Sequence, residues 1–89
     1  MPESSEATVT LPDAVALHAR PAADFVRTAM GFEASVAVGA GDREADAKSL
    51  LAVLGLGATG GTELRLRAEG PDADRAIETL TGTVAELRE

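Results

Sequence analysis

His18, Arg20 and Pro21 stand almost side by side in Leu17-His18-Ala19-Arg20-Pro21-Ala22-Ala23, and His18 is the only histidine of the chain. There is no cysteine. No other side chain here has an ordinary pKa near neutrality, so chemistry that needs a neutral nucleophile or a proton switch converges on this one imidazole. Arg20 supplies a permanent cation whose forked donors suit phosphate or carboxylate. Pro21 opens an amphipathic helical run, whose first N–H groups and dipole favour negative charge. A nucleophilic imidazole, a guanidinium and a helix N-terminus within one turn of chain make a place to put a phosphoryl group.

The elements around that segment must hold it in position. Residues 7–11 alternate and contain β-branched side chains, which predicts a first strand ended by Pro12 and Asp13. A loop through Ala14–Leu17 then leads to the histidine. From Pro21 the period becomes 3.6, with Ala22, Phe25, Val26, Ala29 and Met30 forming one apolar face and Gly31 the stop. Arg20 precedes a proline and is biased away from α geometry, so the helix cap is expected between His18 and Arg20. Residues 33–38 read as a second strand, and a Gly39–Asp42 turn leads to a short third strand near 43–45. Ser49 is a natural N-cap for a helix of about two turns. A glycine-rich turn over 55–61 delivers a strand over 62–68, in which Leu64 and Leu66 alternate with charged residues. Pro71 and Asp72 open a last helix with the stripe Ala73, Ala76, Ile77, Leu80, Val84 and Leu87. The order β-α-β-β-α-β-α predicts an α+β open-faced sandwich: a four-stranded antiparallel sheet with three helices on one face.

Composition removes whole classes of function. The chain has 89 residues, enough for one domain spanning 1–89 with a single aliphatic core. A net charge of −7, with no Trp or Tyr, argues against nucleic acid as a partner. Without cysteine, and with one histidine among scattered acids, neither a metal site nor a disulfide framework is expected. The first six residues carry acid and no apolar run, so no signal peptide is expected; no apolar stretch approaches the roughly 20 residues that span a bilayer, so membrane insertion is not expected either, and the cytoplasm is the expected compartment. Gly55-Leu56-Gly57-Ala58-Thr59-Gly60 matches the dinucleotide fingerprint G-x-G-x-x-G as a string. That fingerprint needs a strand before it and a helix after it; here the order is reversed, so the segment is a turn.

The heptad Leu17–Ala23 resembles the active-site signature of HPr, the histidine-containing phosphocarrier of the bacterial phosphoenolpyruvate-dependent sugar phosphotransferase system. Ala23-Asp24-Phe25-Val26, Gly31-Phe32, Ala47-Lys48-Ser49-Leu50, Leu56-Gly57 and Ala68-Glu69-Gly70 extend the likeness over residues 7–88. The resemblance implies that His18 is phosphorylated on Nδ1 by phosphorylated Enzyme I and passes the group to sugar-specific enzyme IIA components. The chain would then be a stoichiometric phosphocarrier, monomeric and without a cofactor, rather than an enzyme. Arg20 would neutralise the added charge, and the helix dipole would keep the imidazole neutral near pH 7. In some HPr-like proteins the serine matching Ser49 is phosphorylated by a dedicated serine kinase, which makes Ser49 a candidate regulatory site. Ala19, Ala23, Arg27, Leu50, Leu51 and Leu54 are the candidate partner-binding residues, since so short a helix cannot bury all its leucines.

The departures from the family pattern concern partners rather than chemistry. Ala16 stands where glycine is frequent, and Ala19 where threonine is frequent. Met30 and Ala52 stand where lysines are frequent, so apolar contact takes over part of the usual positive charge. A regulatory relative of the same fold, in a nitrogen-type or transcription-linked branch, keeps the same histidine and differs only in partners. A purely structural interaction domain would need neither His18 nor Arg20.

Overall fold

The computed structural model describes residues 3–17 and 19–87; His18 lies outside the described residues. Four strands and three helices follow in the expected order: β1 (Ser4–Thr10), α1 (Ala19–Met30), β2 (Ser35–Ala40), β3 (Arg43–Asp46), α2 (Leu50–Leu54), β4 (Glu63–Glu69) and α3 (Ala73–Ala85). The strands form one antiparallel sheet in the order β1-β4-β2-β3. In β4, Leu64, Leu66 and Ala68 are buried while Glu63, Arg65, Arg67 and Glu69 are exposed, so one face of the sheet meets the core and the other meets solvent. α3 packs on β1 and β4, and α1 packs against α2 and α3. Phe25, Leu11, Leu17, Leu64, Leu66 and Leu80 are the largest side chains that the core buries completely.

Where the elements differ from expectation, the backbone supplies the reason. β1 starts at Ser4, earlier than the apolar alternation indicates, because Ser4, Ser5 and Glu6 pair with Glu69, Ala68 and Arg67. Ladder bonds of an edge strand need no particular side chain. β2 covers 35–40 rather than 33–38. Its Gly39 and Ala40 pair with Arg65 and Leu64 of β4, while the N–H groups of Glu33 and Ala34 donate to the Asp72 carboxylate at 2.9 and 2.8 Å. Met30, expected on the apolar face of α1, is 63% exposed. At 100° per residue it lies about 80° around the helix from Ala22, at the margin of the stripe and in its last turn. α3 ends at Ala85, yet Leu87 is buried just beyond it, its N–H donating to the Val84 carbonyl at 3.2 Å.

Candidate functional site

The chain enters α1 through residues 11–17, and backbone hydrogen bonds fasten this stretch to the glycine-rich turn. The N–H of Leu11 donates to the Thr62 carbonyl (2.9 Å), that of Gly61 to Leu11 (3.0 Å) and that of Leu17 to Ala58 (2.9 Å). Leu11, Val15 and Leu17 point into the core, at 1%, 4% and 2% exposure. The residue immediately before His18 is therefore pinned both by its side chain and by its amide. Residues 14–17 are a loop, as expected, but one anchored to the core. The alternation of apolar Val15 and Leu17 was the available signal for its anchoring.

α1 begins at Ala19, within the range expected from the proline, and Pro21 falls in its first turn, where a missing N–H sacrifices no helical bond. Pro21 is buried, and so are Ala22, Phe25, Val26 and Ala29 behind it. Arg20 is exposed in the same turn, which carries no acidic side chain, and has no ion-pair partner among the described residues. Ala19 is exposed beside it and Ala23 half-buried. Arg27 differs: its guanidinium meets Asp24 at 3.2 Å on the same exposed helix face. The one cation at the start of α1 keeps its charge available, while the one further along shares its charge with a carboxylate.

α2 runs back along α1. Its start is tied to the end of α1 by Lys48, whose Nζ donates to the Phe32 carbonyl at 2.6 Å, and its end leads into the turn that holds residues 11–17. Ser49 caps α2 as expected, its Oγ accepting from the Ala52 N–H at 3.3 Å. Leu50 and Leu51 are 40% and 83% exposed, whereas Leu54 and Ala52 are half-buried and pack against the core. The outer faces of α1 and α2 thus make one surface, with Arg20 toward one end and Ser49, Leu50 and Met30 toward the other. Ten residues of helix separate Arg20 from Met30, about 15 Å.

The Asp72 clamp escaped sequence reading. Its carboxyl lies below the ordinary carboxylate value, chiefly because it accepts the N–H of Glu33, with the N–H of Ala34 and the charge of Lys48 acting the same way against partial desolvation. Nothing in a Pro-Asp helix start reveals a partner 39 residues away in sequence. Two depressions on the molecule, one of about 390 Å³ beside Ala37, Asp46, Arg67 and Glu69, lie on the open face of the sheet, and Arg20 lines neither. Among the described residues no group of three His, Cys, Asp or Glu side chains could hold a metal ion, and no helix is long and apolar enough to cross a membrane.

The antiparallel sheet backed by helices, with an exposed arginine in the first turn of α1, makes a small open-faced sandwich. A family model described as the PTS HPr component phosphorylation site matches residues 5–86. The HPr phosphocarrier protein of Haloferax volcanii is 47% identical over 77 residues, covering 84% of this chain and 86% of that protein. HPr of Streptomyces coelicolor is 43% identical over 83 residues, covering 92% and 89%. Among solved structures, HPr-C-His of Thermoanaerobacter tengcongensis superposes with a TM-score of 0.87 at 36% identity, covering 91% of each chain. The chain belongs to the PTS-HPr family, the phosphocarriers of the phosphotransferase system.

Proposed function

We propose that His18 accepts a phosphoryl group from phosphorylated Enzyme I and delivers it to enzyme IIA components of sugar permeases. The single observation that carries the reading is Arg20: an exposed guanidinium in the first turn of α1, unpaired among the described residues, two residues beyond the histidine. In the forward step the Nδ1 lone pair of His18 forms an N–P bond as the bond from phosphorus to the donor breaks. In the second step the same N–P bond breaks toward the acceptor, and the imidazole is regenerated. Arg20 and the free N–H groups of the first turn lower the energy of the added negative charge in both directions. An exposed and solvated site keeps that stabilisation moderate, as suits a carrier that must also release the group.

The surface of α1 and α2 suits protein partners. Exposed Leu50, Leu51 and Met30 lie on the face that continues from Arg20, Ala19 and Ala23. Ser49, at the start of α2, is the proposed target of a serine kinase, since a phosphate there would add charge to this docking face. Arg27, neutralised by Asp24, is assigned a lesser part in docking.

The test is phosphorus NMR after incubation with phosphoenolpyruvate and Enzyme I from the same source. The expected result is an acid-labile phosphoramidate signal that is lost in His18→Ala, with the fold intact by circular dichroism. Unchanged phosphoryl acceptance by His18→Ala would overturn the assignment.

A further inference from the structure

We infer that Gly60 is a positioning residue for phosphoryl transfer, because its missing side chain lets the glycine-rich turn template the stretch that leads into His18. The inference rests on the phosphocarrier reading of His18. A Cβ added at Gly60 would coincide with the Asp13 carbonyl oxygen, and would stand only 3.0 Å from that of Pro12. Both obstacles are backbone, so no side chain can swing aside to relieve them. The backbone of Gly60 itself does not take the left-handed conformation, unlike Gly57 and Gly61 beside it. Glycine at 60 therefore answers a demand for space rather than for dihedral freedom.

What that space achieves follows from the bonds around it. The 11–17 stretch is joined to the turn at both ends, through Leu11 with Thr62 and Gly61, and through Leu17 with Ala58. Between these two attachments Gly60 lies against Pro12 and Asp13. The turn is itself closed by the Thr62 N–H on the Thr59 carbonyl at 3.0 Å and the Thr59 N–H on Thr62 Oγ1 at 3.2 Å. Because Pro21, Ala22 and Phe25 seat α1 in the core, a side chain at 60 displaces the 12–17 stretch and leaves the helix in place. The position of residue 18 relative to Arg20 and the first turn of α1 then changes. Displacements of about 1 Å at a reacting group suffice for large losses of rate.

The test compares Gly60→Ala with Gly70→Ala. Gly70 has φ +146° and no room for a Cβ against Ala34, so its replacement also destabilises, but at the opposite end of β4. Gly60→Ala is expected to slow phosphoryl acceptance from Enzyme I about tenfold or more, and to move the amide resonances of Leu17, Ala19 and Arg20. Gly70→Ala is expected to leave those resonances and the transfer rate near wild type at a temperature where both variants are folded. A rate in Gly60→Ala no lower than in Gly70→Ala, or unmoved amides at Leu17–Arg20, would overturn the positioning role. Should Gly60→Ala fail to fold, Thr62→Val loosens the same turn by deleting the acceptor for Thr59 without adding bulk. It is expected to act in the same direction by about two- to threefold, and normal transfer together with normal exchange of the Leu17 amide would overturn the inference. If the wild-type chain took no phosphoryl group at all, the phosphocarrier reading would fall and the transfer role with it, while the amide shifts would separately show whether Gly60 sets the position of the stretch before residue 18.

Discussion

The two connections that flank α1 are held by different kinds of bond. Before the helix, the hydrogen bonds that fasten residues 11–17 to 58–62 run between backbone groups, and apolar Leu11, Val15 and Leu17 add their burial. After it, residues 31–34 are fixed by ionised side chains: Asp72 accepts the N–H groups of Glu33 and Ala34, and Lys48 donates to the carbonyl of Phe32. The end of α1 that carries Arg20 thus spends no charge on its own architecture, whereas the other end is built from charge. On the proposed reading, a phosphoryl group beside Arg20 would disturb no ion pair of the loop among the described residues. Charge-based fastening at that end would compete with the transferred group for the same donors.

This contrast can be broken from either side. Arg20→Ala should cause the largest change, slowing transfer about tenfold or more under the proposed function, while leaving the thermal midpoint nearly unaltered, because the exposed guanidinium pairs with no described group of the fold. Rapid-quench transfer assays alongside thermal melts check this, and a full-speed variant would remove its electrostatic role. Asp72→Ala should do the reverse, lowering the urea midpoint at pH 7 with little effect on transfer. Its pH dependence has a definite sign. Asp72 titrates below its ordinary value, so its contribution is complete above that value and fades as pH falls through the lower folded-state pKa. The gap between wild type and Asp72→Ala should therefore narrow in acid, and a gap that is constant with pH would contradict the clamp.

Two smaller effects sharpen the comparison. Ser49→Ala should cost about 1 kcal/mol through loss of the α2 cap, read from urea unfolding. Ser49→Asp should instead weaken Enzyme I binding in titration calorimetry, and equal binding would leave Ser49 a cap only. Gly82→Ala should add about 0.5–1 kcal/mol, since Gly82 lies inside α3 where a Cβ would meet nothing within 4 Å. A loss of stability there would mean that the helix needs glycine for a reason other than space.

The helices and the family were legible because local spacing and the heptad Leu17–Ala23 carry both. The 3.6 period from Ala22 to Ala29 gave α1, and Ser49 gave the start of α2. The heptad around His18 gave the chemistry that the family match supports. Strand limits were less legible, because β1 and β2 are extended or shifted by partners distant in sequence, such as Glu69 for Ser4 and Leu64 for Ala40. Met30 failed because periodicity says which way a residue points but not whether anything covers it. The two fastenings of α1 were invisible for a related reason. Asp72 reads as an ordinary helix-start aspartate, and Gly60 as one glycine among several in a turn.

The strand order also governs how the chain reaches this state. β4 sits between β1 and β2, with Ser4 paired to Glu69 and Thr10 to Glu63. During synthesis β1 has no strand to pair with until β4, which ends at Glu69, has been made, while the β2–β3 hairpin can form early from adjacent residues. Closing the sheet requires so long a loop that its entropy must be met before the core returns any contact. Insertion of β4 therefore completes the sheet and, with it, the 58–62 turn to which residues 11–17 are bonded, so a half-made chain lacks that fastening before α1.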